Sequence, residues 1–352
     1  MRRLLAPFAV GYRAAMALRR TAYRRRWLRT QRLNRPVISV GNLTVGGTGK
    51  TPLVAHITRL LLDRGWRPGI LTRGYGRNHG LKLVALEPRA GRAPDPRLVG
   101  DEPALLARKL PDVPIVVCAD RYAGGRVAED RFNVGVHVLD DGFQHFGLAR
   151  DLEIVVIDTT ETLFDHDLLP VGRLREPWSA VERADVVVLT RVELGDPVPL
   201  ERKVRRLNPR AEIFYGATKL CELVDLASGR IYPAGAFEGD PVYAFCGIGN
   251  PTAFFADLRR WGFSVLTEQA FRDHHLYSGE DLLPILMSLE RSPAAAMITT
   301  EKDAMNLPAL RDSAKPVLAC VIESELQEPE AFERAIVGRL ELSLDADATA
   351  GA

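Results

Sequence analysis

A chain of 352 residues with 46% hydrophobic and 26% charged residues has the make-up of a folded globular protein and the length for two domains. Its four cysteines, Cys118, Cys221, Cys246 and Cys320, are far apart and form no CxxC pair, which argues against a disulfide framework or a zinc site and fits a reducing compartment. The formal net charge of +2 decides little, but its distribution is uneven: no acidic residue precedes Asp63, while arginines crowd residues 2–35.

That first segment carries apolar residues at helical spacing (Leu5, Phe8, Tyr12, Met16), with Arg2, Arg13, Arg20 and Arg24 mainly on the other face. The apolar run from Leu4 to Tyr12 is too short to span a bilayer, which takes about 20 apolar residues. Arg13 interrupts what would be the apolar core of a signal peptide. An arginine run also suits nucleic-acid phosphates or a plain solvated arm. Apolar and basic faces together favour a helix lying on an anionic membrane surface, and no nucleic-acid partner is expected.

Residues 36–52, PVISVGNLTVGGTGKTP, form the stretch around which the rest is arranged. Val37, Ile38 and Val40 predict a buried strand. A turn rich in glycine (Gly41, Gly46, Gly47, Gly49) follows, and Lys50 and Thr51 open a helical pattern. Glycines let backbone N–H groups turn toward an anion, and a helix N-terminus favours negative charge. Gly46, Gly47, Thr48 and Gly49 would cradle phosphate, Lys50 would reach the β- and γ-phosphates, and Thr51 would offer its hydroxyl to Mg²⁺. The strict pattern G-x-x-x-x-G-K-[ST] is not met, because Thr44 stands at its first position.

A helix follows from Leu53 to Arg64, stopped by Gly65, then a strand from Pro68 to Thr72 that runs into the basic loop RGYGR. Residues 87–100 read as a surface loop. Gly100-Asp101-Glu102-Pro103 opens the next helix, and Ile115 to Cys118 is a strand ending in Ala119-Asp120-Arg121. A helix over 122–132 leads to the strand Val134 to Leu139, which ends in Asp140-Asp141-Gly142. An apolar strand ending in aspartate beside a phosphate loop suits Mg²⁺, so Asp140 and Asp141 are candidate metal ligands, with no choice between them. Strands at 154–157 and 186–189 flank the loop LLPVGRLREP, in which Arg173 is either a phosphate contact or a solvated charge. Lys50, Asp120, Asp140 and Arg191 all follow strands and so converge on one sheet edge.

Strands alternating with helices over 36–215 predict a P-loop NTPase-like α/β fold, a mostly parallel sheet with helices on both faces. The periodicity breaks near 217–240. The expected division is a basic amphipathic segment at 1–35, a nucleotide-binding domain at 36–218, a ribbon-like linker at 219–240, a smaller α/β domain at 241–325, and a terminal helix and tail at 326–352. Gly247-Ile248-Gly249 does not complete a dinucleotide fingerprint, since Thr252 holds the last place. The terminal helix is expected over 329–340, with the tail after 343 disordered.

The ordered set SVGNLTVGGTGKTP, LTRGYGR, GDEP, ADR, LDDGFQH, GRLREP, GIGNP, FRDHH and TTEKDA resembles one family, tetraacyldisaccharide 4′-kinase (the lipid A 4′-kinase of Gram-negative bacteria). The pieces run in order over most of the chain; GNLTVGGTGKTP and DDGFQH are specific together, and each of the others is weak alone. The resemblance implies ATP- and Mg²⁺-dependent phosphorylation of the 4′-hydroxyl of a tetraacyldisaccharide 1-phosphate, by a peripheral enzyme on the cytoplasmic face of the inner membrane. It further implies that Asp101 is a catalytic base paired with His274, chosen over His275 by the match to F-x-D-H. Arg77, Arg121 and Arg173 become candidates for phosphate contacts, and Glu102 and Asn42 for supporting roles. Pairing Asp101 with His274 across two domains implies domain closure. Two other readings compete. One is a membrane-recruited nucleotide switch, which usually carries a lysine where Val45 stands; the other is a soluble kinase or ligase with a nucleic-acid-binding arm.

Overall fold

The computed structural model describes residues 2–75, 81–91, 94–161, 167–310 and 315–350. In chain order they form α1 (Arg2–Arg24), β1 (Val37–Asn42), α2 (Lys50–Asp63), β2 (Pro68–Thr72), β3 (Leu83–Leu86), α3 (Pro96–Val99), α4 (Asp101–Lys109), β4 (Ile115–Cys118), α5 (Arg121–Phe132) and β5 (Val136–Asp140). Next come β6 (Leu152–Asp158), β7 (Val186–Thr190), α6 (Val198–Leu207), β8 (Glu212–Asp225), β9 (Ile231–Pro233), β10 (Pro241–Cys246) and α7 (Pro251–Arg260). The chain closes with β11 (Ser264–Ala270), α8 (Gly279–Arg291), β12 (Ala296–Thr300), α9 (Glu301–Ala304), β13 (Val317–Leu326) and α10 (Pro329–Ala350).

The strands share one sheet in the order β11-β10-β12-β13-β8-β7-β6-β1-β5-β2-β4-β3, with β9 paired to β8. Pairing is parallel except at β3–β4, β8–β13 and β8–β9. Strands covered on both faces are mostly apolar, as in β1, β5, β6 and β7, whose residues are all buried. Helix α2 lays Leu53, Val54, Ile57 and Leu61 into the core on one face of this block, and Gly65, at positive φ, follows its last turn. The smaller half has cores of its own, around Phe255, Leu258 and Leu318 on one face and Phe245, Ile285 and Met297 on the other.

The division into units differs from the expected one in two ways. The anticipated boundary at 218/219 lies inside β8. Residues Glu212–Gly216 of that strand pair with β7, and Gly216–Asp225 pair with β13, so one strand serves both halves. The expected ribbon is then the end of β8 with its hairpin partner β9. The terminal helix also does not stand apart: Phe332, Ile336 and Leu340 of α10 are fully buried in the core of the first half, and the helix runs to Ala350 where a tail was expected. The antiparallel edge strand β3 and helices α6 and α8 were not anticipated.

Helix α1 lies along the body. Tyr12 Oη donates to the Arg175 carbonyl at 3.0 Å, and the Tyr23 and Phe146 rings are 5.7 Å apart. Tyr12 and Met16 are half-buried, whereas Phe8, Val10 and Leu18 are exposed among the arginines, so the predicted stripe is split between body and solvent. Among the described residues no helix is long and apolar enough to cross a membrane.

Candidate active site

The loop between β1 and α2 is held from three sides. Gly46 and Gly49 both have positive φ (118° and 83°), which a side chain resists. From within, Asn42 Nδ2 donates to Thr48 Oγ1 at 3.0 Å. From the end of β7, Thr190 Oγ1 donates to the Thr48 carbonyl at 2.9 Å, and Arg191 Nη1 to the Gly47 carbonyl at 2.8 Å. From the third side, Arg173 donates through Nε and Nη2 to the Val45 carbonyl at 3.1 and 2.8 Å. The turn after β10 closes over the loop so tightly that a Cβ on Gly249 would lie 2.6 Å from Gly46 Cα. The cleft beside this loop is lined by Gly46 to Pro52 from one half and by Ile248, Phe254, Trp261, Thr300 and Lys302 from the other, with Glu102 at its edge.

Strand β5 pairs with β1 and delivers two adjacent carboxylates to Lys50. Asp140, the last residue of β5, is wholly buried and accepts from Thr72 Oγ1 at 3.2 Å. Burial, together with the charges of Glu102 and Asp141, pushes its carboxyl up to about 7. Asp141, in a left-handed conformation before Gly142, sits in the opposite field. Burial works to raise it, but Lys50 at 3.5 Å and Arg175 at 2.6 Å outweigh that and hold it down at about 2. Asp141 Oδ1 accepts no hydrogen bond. Arg121 opens α5 nearby; it is buried, Nη1 donates to the Ala119 carbonyl at 2.9 Å, and Nε has no partner. Burial lowers its pKa, and Asp140 opposes that.

No group of three or more His, Cys, Asp or Glu stands together among the described residues. A threonine hydroxyl at the head of α2 and one or two carboxylates are nonetheless the donor set Mg²⁺ takes when phosphate and water complete its shell. Asp141 Oδ1, which accepts no hydrogen bond, and the raised Asp140, pushed up by burial and by the neighbouring carboxylates, both fit an added cation there.

A second cluster joins the two halves. Asp101 is the first residue of α4, buried, with Oδ1 accepting the Glu102 amide at 2.9 Å. Its Oδ2 lies 2.7 Å from His274 Nδ1, and Asn306 Nδ2 donates to it at 3.5 Å. His274 is held at φ 58° with its amide donating to the Gly247 carbonyl at 3.0 Å. Burial works to raise Asp101, but the imidazole and Lys302 hold its carboxyl below the usual range. Burial works against a charged His274, but the Asp101 hydrogen bond wins and raises it. Tyr75, before the undescribed segment 76–80, places its ring 5.3 Å from the imidazole.

The family model described as "LpxK: Tetraacyldisaccharide-1-P 4′-kinase" matches residues 1–341. The chain belongs to this family. Tetraacyldisaccharide 4′-kinases are similar to it along nearly their whole length: that of Geobacter metallireducens is 39% identical over 347 residues, covering 95% of this chain and 96% of the relative. That of Koribacter versatilis is 40% identical over 337 residues, covering 92% and 95%. Among solved structures, LpxK from Aquifex aeolicus in complex with ATP superposes with a TM-score of 0.74 at 31% identity, covering 96% of this chain and 99% of that one. Family membership makes the chain a phosphotransferase with the α/β fold seen here.

The structure brings most of the sequence-selected residues of this family member together. Lys50 meets Asp141; Asn42 meets Thr48; Glu102, Asp101 and His274 form one cluster with Lys302. His275 is elsewhere, stacked on Phe271 at 4.7 Å and 3.3 Å from Asp281. Arg173 is not a plain solvated charge, because its guanidinium grips the loop carbonyl of Val45. Thr51 lines the cleft beside Lys50, whereas Arg121 does not line it and feels the charges of Asp140 and Asp141. Arg77 lies outside the described residues. Arg175 and Lys302 were given no role from sequence, and Arg191 was placed at the sheet edge without a partner. Arg191 does stand at that edge, after β7 and at positive φ, where it holds the Gly47 carbonyl.

Proposed function

We propose that this chain transfers the γ-phosphoryl group of ATP to the 4′-hydroxyl of a tetraacyldisaccharide 1-phosphate. The observation that carries the reading is the Asp101–His274 contact of 2.7 Å, made across the two halves next to Glu102 and Lys302, which line the cleft with the phosphate loop. Phosphoryl transfer asks little covalent chemistry of a protein; it asks for position and charge. The loop amides of residues 46–49 and Lys50 hold the transferring phosphate, and Arg173 braces the loop through the Val45 carbonyl. Thr51 with Asp140 or Asp141 would hold Mg²⁺, whose charge neutralises phosphate oxygens when bound.

Asp101 accepts the proton of the acceptor hydroxyl as its oxygen bonds to the γ-phosphorus and the bond to the β-phosphate oxygen breaks. A buried carboxylate held ionised by a neighbouring imidazole suits this, and His274 orients it. Closing the Gly247–Pro251 turn over the loop excludes water from the transfer.

The acceptor is a lipid, and α1 gives the chain a place to meet it. Exposed Phe8, Val10 and Leu18 among arginines suit an anionic leaflet, so the enzyme acts as a peripheral protein on the cytoplasmic face of the bacterial inner membrane. ³¹P NMR of the lipid after incubation with ATP and Mg²⁺ tests the assignment: a second phosphomonoester signal is expected, absent with Lys50→Ala. An unmodified lipid with wild-type enzyme would overturn it.

A further inference from the structure

Lys302 stands at the point where the two halves meet, and nothing in the chemistry above uses it. An ammonium has three N–H donors. Nζ of Lys302 has three acceptors within 3.5 Å: Glu102 Oε1 at 3.5 Å, Asp273 Oδ1 at 3.4 Å and His274 Nε2 at 3.4 Å. Asp101 Oδ2 lies just beyond, at 3.9 Å. The side chain is 19% exposed and faces the cleft beside the phosphate loop. Glu102 comes from α4, Lys302 from α9, and Asp273 and His274 from the loop after β11, so the contacts span three elements.

An ammonium has no lone pair, so whichever imidazole nitrogen it bonds must be the acceptor. From this geometry, and resting on the kinase reading above, we infer that Lys302 is a positioning residue for the Asp101–His274 pair. By donating to Nε2 it fixes the imidazole proton on Nδ1, where it bonds Asp101 Oδ2, and it opposes formation of the imidazolium. The groups facing His274 then have distinct effects. Asp101 and, at 3.8 Å from Nε2, Asp273 favour an imidazolium; Lys302 disfavours it; Glu102 anchors Lys302; the Tyr75 ring covers one face without charge. The net balance leaves His274 somewhat raised, with Lys302 the main opposing charge.

The consequence for catalysis follows from charge. Asp101 bonded to a neutral imidazole is a stronger base than Asp101 paired with an imidazolium. Taking away Lys302 leaves two carboxylates, those of Asp101 and Asp273, facing the imidazole with no cation opposing them. The pair then holds its extra proton to higher pH, and proton abstraction slows where that proton is present.

The direct test is ¹⁵N NMR of histidine-labelled enzyme, with the His274 signals assigned by their loss in His274→Gln. In the wild type, above its titration, His274 should show a protonated Nδ1 and a bare Nε2. In Lys302→Met its titration midpoint should move up by about one pH unit. Steady-state assays with saturating lipid should then show kcat down about tenfold at pH 7 and recovering toward alkaline pH, with KM for ATP little changed. Lys302→Arg, which keeps the cation, should keep the wild-type acidic limb. A wild-type proton on Nε2, or an unmoved midpoint in Lys302→Met, would overturn the inference. So would a loss of kcat equal at every pH, or a rise in KM for ATP with kcat unchanged, which would make Lys302 a scaffold or a nucleotide contact. The NMR result is independent of turnover, so a wild-type enzyme inactive on the lipid would count against the kinase reading alone.

Discussion

Lys109 is the most informative side chain to remove, because it joins the two halves through a buried ion pair. It ends α4, the helix that Asp101 begins, and Glu301 opens α9, the helix that carries Lys302. Their charged groups are 2.8 Å apart with only 5% and 9% of the side chains exposed, and Lys109 Nζ also donates to the Ile322 carbonyl at 2.8 Å. Burial pushes the Glu301 carboxyl up, and Lys109 is the main opposing charge. Lys109→Met deletes that charge and strands the carboxylate in a dry site, a loss of about 3–5 kcal/mol. The effect has a sign in pH. A carboxylate whose folded pKa is raised above its ordinary 4.5 costs stability only where it must ionise. The deficit of Lys109→Met should therefore be largest near pH 8 and shrink toward pH 5. Lys109→Met/Glu301→Leu should regain most of it, since a packed apolar pair is often no worse than a buried ion pair. Urea denaturation followed by circular dichroism at both pH values measures this. A single variant within about 1 kcal/mol of wild type, or a deficit that does not change with pH, would refute the reasoning.

Other expectations follow from the same geometry. Gly249→Ala places a Cβ 2.6 Å from Gly46 Cα, so the turn must lift off the loop; a misplacement near 1 Å costs on the order of 100-fold in kcat/KM for ATP, which steady-state kinetics will show. Asp101→Asn keeps the shape and removes the base, for a loss of about 10²–10⁴ in kcat with the fold intact by circular dichroism. His274→Gln should lower stability most near pH 5–6. The wild-type advantage should fade as pH rises through the raised His274 value and as it falls through the lowered Asp101 value, read from thermal melts across pH. Binding to anionic vesicles should weaken with salt and fall when Phe8, Val10 and Leu18 of α1 are changed to serine, as flotation would show.

What was legible in the sequence was local. The phosphate loop announces itself because glycine spacing, a preceding β-branched run and a Lys-Thr pair are all dictated within a dozen residues. The strand ending in Asp140-Asp141 could be read for the same reason. Residues that act by meeting a distant segment were harder. Asp101 and His274 are 173 positions apart, and only the family resemblance joined them before the 2.7 Å contact was visible. Lys302 had no local signature, since a lysine after a strand is ordinary until Glu102, Asp273 and His274 surround it. Nor does hydrophobic periodicity say where β8 changes partners at Gly216, or that α10 returns to the first core, because both depend on pairing across the chain. Helix α6 begins among prolines, with Pro197 at its N-cap, and Pro284 interrupts the apolar pattern of α8.

The central claim is that the cleft passes a phosphoryl group to a lipid hydroxyl rather than to water. Incubating the enzyme with γ-³²P-ATP, Mg²⁺ and detergent-dispersed tetraacyldisaccharide 1-phosphate, then separating products by thin-layer chromatography, measures that partition. Label in the lipid, lost in both Lys50→Ala and Asp101→Asn, is the predicted result. Label released as inorganic phosphate with none in the lipid would contradict it and point to a nucleotide switch instead.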